Sequence, residues 1–318
     1  MKPFRPSNKV PPFGLLLMSL SAVFGGLLIG GVTYLVSQLI YLVVIFPIVI
    51  GAISGVLIGR AVRRGKVRNP WVVGAFSLLI GLLSYGAYHY IDYRVERQQA
   101  HAEVLREIQQ QLGRTDPVLA DQVIDQNIQE ITGLSGFAGY MALKAQAGLS
   151  FAHFANGLPI LQFTTNPFFT AVYWLIELLI IVAVALQLSR ALPSQPFCEI
   201  HQRWYDQHEH LGGVPDSRST DLINQLHAGH FAEAGAMLEG QNTFWPSVEL
   251  YLKSCQGCTE SEARLQIARL TSSRGRVQAR SLLQGMLSSF QQADLKRGIQ
   301  NRISNASLPQ PHGDLLFQ

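Results

Sequence analysis

Acidic residues are missing from the first 91 positions, where eight bases stand: Lys2, Arg5, Lys9, Arg60, Arg63, Arg64, Lys66 and Arg68. Polar faces are missing as well from four runs, Phe13 to Leu35, Leu39 to Gly59, Trp71 to Tyr90 and Phe168 to Leu188. Buried helices of a soluble protein would keep one polar stripe, so that class is excluded for these segments. Each run reaches the roughly 20 residues that carry a helix across about 30 Å of hydrocarbon. No small-residue cleavage pattern closes the first run, so "MKPFRPSNK" flanks an uncleaved anchor rather than a secretory signal. The catalytic signatures H-E-x-x-H, G-x-S-x-G and G-x4-G-K-[ST] are absent too, which removes the sequence case for a metalloprotease, a serine-hydrolase elbow or a P-loop.

The one-sided charge orients the spans. All eight early bases lie before the first run or between the second and third, and Arg190 follows the fourth. The positive-inside bias therefore places both termini in the cytoplasm and the segment between spans three and four outside it, with a bacterial inner membrane as the expected site. From Ala191 onward eleven bases face twelve acids, so the net charge of +4 belongs to the membrane flanks and gives no support to nucleic-acid binding.

The expected organisation is a cytoplasmic amino terminus (1–12), three spans (13–90), an extracytoplasmic helical region (91–167), a fourth span (168–188), a small cytoplasmic α+β domain (193–304) and a flexible tail (305–318). In the external region "VERQQAHAEVLREIQQQL" is rich in helix formers, and "TDPVLADQVIDQNIQEI" opens with a capping residue followed by Pro117. "SGFAGYMALKAQAGLSF" reads as a third helical piece. The region is either a helical cap on the bundle or a gate or binding element. In the tail, "STDLINQLHAGHFAEAGAMLEG" has the spacing of a helical hairpin around Gly229. The alternating "PSVELYLKSC" and "ARLQIARL" read as two strands flanking a cysteine turn.

All three cysteines lie in this tail. Cys198 and His201 form a C-x2-H pair, and Cys255 and Cys258 a C-x2-C pair. Two-residue spacers let both members of each pair bend toward one ion, and four Cys and His ligands suit a closed tetrahedral zinc site. A reducing cytoplasm leaves the thiols available for metal. The 53 residues between the pairs make the helical hairpin an insertion between two knuckles. The alternatives are cysteines packed as small hydrophobes or a redox dithiol of Cys255 and Cys258. The absence of His at position 259 excludes the c-type haem signature. His208 and His210 read as solvated residues that could replace His201, and His227 and His230 as surface residues.

Glu177 stands near the centre of the fourth apolar run, where a carboxyl group is costly unless protonated or partnered. Depth matching pairs it with the face of span three that carries Ser77, Gly81, Ser84 and Tyr88, either as a polar clamp or for proton or ion handling. Gly26 and Gly30, and Gly51, Gly55 and Gly59, recur at four-residue spacing, the pattern of close helix packing within one chain or between copies. The sequence thus describes an α-helical polytopic membrane protein of four transmembrane helices with a small cytoplasmic α+β domain. Its expected role is non-enzymatic: an anchor, assembly or regulatory component in the lipid bilayer that docks a cytoplasmic protein partner. A transport or channel subunit using Glu177 is the alternative, and a membrane-bound redox protein using Cys255 and Cys258 the third.

Overall fold

The structure is a computed structural model of the full chain and describes residues 1–3, 6–39, 44–148, 150–155, 158–164, 166–240, 246–258, 262–273 and 276–306. Most of the tail expected to be flexible, 307–318, lies outside the described residues. The chain forms two compact units, Asn8–Pro193 and a second that joins Met1–Ser7 to Ser194–Gln318.

In the first unit, helices α1 (Pro12–Ser37), α2 (Ile45–Gly65), α3 (Pro70–Leu112) and α6 (Pro167–Arg190) carry the apolar runs, and all are long and apolar enough to cross a membrane. They pack as a ring in which α1 lies on α2 and α3, and α6 on α2 and α3. The starts of α3 and α6 follow local chemistry. Asn69 accepts from the Trp71 and Val72 amides, Asn166 accepts from Phe169, and a proline occupies the first turn of each helix.

The third apolar run and the first helical piece after it form one helix, α3, of 43 residues, about 65 Å at 1.5 Å per residue. Nothing in "IDYRVERQQAHAEVLREIQQQL" stops a helix until Gly113, which takes a left-handed φ of 66°. Helices α4 (Pro117–Thr132) and α5 (Gly136–Ala147) follow, and α4 packs on the polar half of α3. Arg97 grips Asp125 with both terminal nitrogens, at 2.5 and 3.0 Å, and reaches Asp121 at 3.2 Å. The region is not wholly helical. Strands β1 (Ser150–Ala155), whose first two residues belong to the expected third helical piece, and β2 (Leu158–Thr164) pair antiparallel.

The second unit is α+β. An antiparallel sheet runs in the order β5 (Gln207–Pro215), β6 (Ser247–Ser254), β7 (Ala263–Ser273), β8 (Arg276–Leu287). Helices α7 (Ser219–Ala228), α8 (Phe231–Met237) and α9 (Ser289–Ala306) accompany it. Alternation on β6 buries Val248, Leu250 and Leu252, and these join Leu226 of α7, Phe231 of α8 and Leu295 of α9 in one apolar core. Gly229 ends α7 at φ 86°, so the expected hairpin turn sits at this glycine. The amino terminus belongs to this unit: Lys2 forms an antiparallel bridge with Met286 of β8, donating to its carbonyl at 3.4 Å and accepting from its amide at 2.8 Å. A small hairpin of β3 (Phe197–Cys198) and β4 (Arg203–Trp204) precedes the sheet.

Candidate metal centre

Hairpin β3–β4 builds the first half of the site. Cys198 pairs with Arg203 across four turn residues, Gln202 takes the left-handed φ of 52°, and Phe197 stacks edge-on against Trp204 at 5.1 Å. The turn aims the His201 amide at Cys198 Sγ, 3.4 Å away. A backbone donor on sulfur favours the thiolate that a metal requires. The second half follows directly from β6, where Cys258 N–H donates to the Cys255 carbonyl at 3.2 Å and Gly257 supplies φ 75°. Only a residue without Cβ takes that conformation readily.

These turns bring the two pairs together. His201 Nδ1 lies 3.8 Å from Cys198 Sγ and 3.4 Å from Cys255 Sγ, and Cys198 Sγ is 4.0 Å from Cys258 Sγ. The ligand atoms of Cys198, His201 and Cys255 all fall within 4.8 Å of one another, so this group could hold a metal ion. A tetrahedron with ~2.3 Å metal–sulfur and ~2.05 Å metal–nitrogen bonds has edges of about 3.8 Å between sulfurs and about 3.6 Å from sulfur to nitrogen. The observed spacings lie close to those edges. Cys198 and Cys255 are each 2 % exposed, whereas His201 faces solvent.

Three neighbours of the site are not signalled by cysteine spacing. Arg203 donates Nε to Cys255 Sγ at 3.1 Å and Nη2 to the Gln256 carbonyl, Asp206 accepts from the Gln256 amide at 3.1 Å, and Tyr205 donates to the Glu262 carbonyl. They tie the first knuckle to the second through side chains and backbone. Burial pushes the Cys198 thiol above its ordinary range, against the pull of the His201 and Ile200 amides. A bound cation would reverse that balance by favouring the thiolate. His210 is placed elsewhere, with Nε2 3.2 Å from a Glu249 carboxylate oxygen and its ring against Tyr251, and His208 is exposed. His227 and His230 are exposed on the α7–α8 turn.

Glu177 is buried on the face of α6 toward α3, but its partners differ from those expected. Tyr85 donates to Oε2 at 3.0 Å, and Tyr173, one turn earlier on α6, donates to Oε1. Ser77 instead bonds Ser189 at 2.7 Å, Ser84 donates to the Gly81 carbonyl, and Tyr88 stacks edge-on against His89. The difference is one of register. Because α3 extends far beyond its apolar run, centring that run does not fix its level against antiparallel α6, and the serines fall away from the carboxyl group.

The spaced glycines are consumed within the chain. A Cβ on Gly30 would stand 2.5 Å from the Ser84 carbonyl oxygen and one on Gly26 2.8 Å from Leu83 Cβ, both on α3. Gly51 and Gly55 meet α6 in the same way, at 2.6 Å from the Ile181 oxygen and 2.9 Å from Leu188 Cβ, and Gly59 lies against Leu192. No protein-family model, curated protein or solved structure matches the chain.

Proposed function

We propose that the chain is a membrane-anchored docking protein, with four spans holding a zinc-stapled domain that binds a cytoplasmic protein partner. The observation that carries this is the convergence of Cys198, His201 and Cys255 within 4.8 Å, with Cys258 Sγ 4.0 Å from Cys198 Sγ. Zinc fits a thiolate and imidazole donor set, and its ligand bonds fix the β3–β4 hairpin against the turn after β6. Metal binding then adds to the folding free energy, by roughly 10 kcal/mol or more in zinc-finger peptides and less where a preformed core shares the work. The bridge between Lys2 and Met286 supports placing the amino terminus on the same side as this domain, as four spans require, and the basic flanks favour the cytoplasmic side.

The test uses the full chain purified in detergent. Zinc near one per chain, lost alike in Cys198→Ser and Cys255→Ser, is expected, together with a chelator-sensitive melt and release of the ion at acid pH. A metal-free chain whose melt ignores chelator would overturn the zinc reading. Docking is tested separately: a partner recovered from native membranes should persist with Glu177→Gln and be lost with Cys255→Ser. The reverse pattern would favour a transport subunit working through Glu177.

A further inference from the structure

His89 is 6 % exposed on α3, and neither ring nitrogen has a hydrogen-bond partner among the described residues. A neutral imidazole carries one donor and one acceptor, so this burial leaves both unmet, and a native orphan of this kind calls for an explanation. Aromatic rings surround it: Tyr85 at 4.6 Å, Tyr88 at 4.9 Å and Trp174 of α6 at 5.6 Å between centroids. Carboxyl groups stand on both sides along the seam. Tyr85, one turn before His89, donates to Glu177, while Asp92, three residues after it, accepts from Tyr140 at 3.1 Å and from Lys144 of α5.

We infer that His89 is a proton-binding site within the α3–α6 seam, filled from the side that carries α4 and α5. Burial opposes a charge on the ring, and the flanking Asp92 carboxyl group offsets that cost when a proton is taken up. Entry follows the polar groups that continue outward from His89, through buried Asp92 to the partly exposed Lys144 and Glu96. In the other direction the seam closes past Tyr85 and Glu177, where Ile181 and Ala185 are fully buried and a Cβ on Gly81 would be only 3.0 Å from Val182. The site therefore takes up a proton and returns it to the same side, as a sensor does, and does not conduct.

Asp92 of α3 and Lys144 of α5 act on His89 directly and the Tyr85 and Tyr88 rings of α3 touch it, while Tyr173 and Glu177 on α6 and Tyr140 on α5 are joined to these by hydrogen bonds. Helix α1 contributes only Tyr34, and the bases of α2 cluster in its last turns, at the opposite end of the bundle. Trp174 is a built-in reporter, because an imidazolium beside an indole quenches its emission. The experiment takes the full chain in lipid nanodiscs with its other three tryptophans changed to Phe. Emission should fall as the pH is lowered, through a single titration. That step should vanish in His89→Gln and shift its midpoint in Lys144→Gln, which removes a nearby cation. Vesicles loaded with a pH dye should show no proton flux through the protein. A pH-independent Trp174, a titration unchanged in His89→Gln, or a midpoint unmoved in Lys144→Gln would each overturn the proposal, and measurable flux would overturn the sealed end.

Discussion

Gly51→Ala adds a single methyl group at the α2–α6 contact. Its carbon would lie 2.6 Å from the Ile181 carbonyl oxygen and 2.9 Å from Val184 Cβ. The first distance is about 0.7 Å short of the ~3.3 Å at which a C–H group and a carbonyl oxygen settle. Both obstacles are fixed to the α6 backbone, so the helices must separate rather than a side chain turn aside. Overpacking of that kind costs about 1–3 kcal/mol. A matched control removes the helix-propensity gain of about 0.5–1 kcal/mol that Ala brings over Gly. Gly86 of α3 is exposed and has nothing within 4 Å of its would-be Cβ, so Gly86→Ala should be neutral or slightly stabilising. Reversible SDS unfolding of the full chain in mixed micelles, followed by helical circular dichroism, should place Gly51→Ala about 1–3 kcal/mol below Gly86→Ala. Equal stability of the two variants would refute the close α2–α6 approach.

Three further outcomes follow from individual contacts. Leu250→Ala, in the fully buried core of the sheet domain, should cost about 2–5 kcal/mol, read as a lower melting temperature of that unit with the spans intact. A double-mutant cycle on Ser77→Ala and Ser189→Ala should return a coupling of about 0.6 kcal/mol, as expected for hydroxyl pairs between membrane helices. The Arg97 hydrogen bonds hold the Asp125 carboxyl below its ordinary range. The stabilisation this gives is present above the unfolded value near 3.9 and is lost as pH falls through the lower folded value. Amide exchange in α4 should therefore rise below about pH 4, and the rise should be absent in Asp125→Asn.

Hydropathy made the four long apolar helices legible, because a run long enough to cross lipid stands out whatever the fold around it. The cysteine pairs were legible for a similar reason: a two-residue spacer is a local geometry, and both halves of the site are single turns. What failed to show were features set by neighbours. The apolar run ends at Tyr90, but a helix needs no break where hydropathy changes, so α3 ran on to Gly113. Tyr173 could have been found by its four-residue offset from Glu177, but Tyr85 required the α3–α6 register. Strand β5 hides behind a bulge between His210 and Gly212, where φ of 121° interrupts the alternation. Strand β8 is exposed along much of its first half, leaving no alternation to read.

The bridge between Lys2 and Met286 also sets an order of events during biosynthesis. About 280 residues separate the two, so at 5–20 residues per second Lys2 waits roughly 15–60 s for its partner to be made. All four apolar helices leave the ribosome in that interval. The domain can close on its first residues only after the last long apolar helix has been synthesised, and a chain arrested before β8 would leave both that strand's place and the amino terminus open. Closure of this one bridge thus marks a chain whose four long apolar helices are already made.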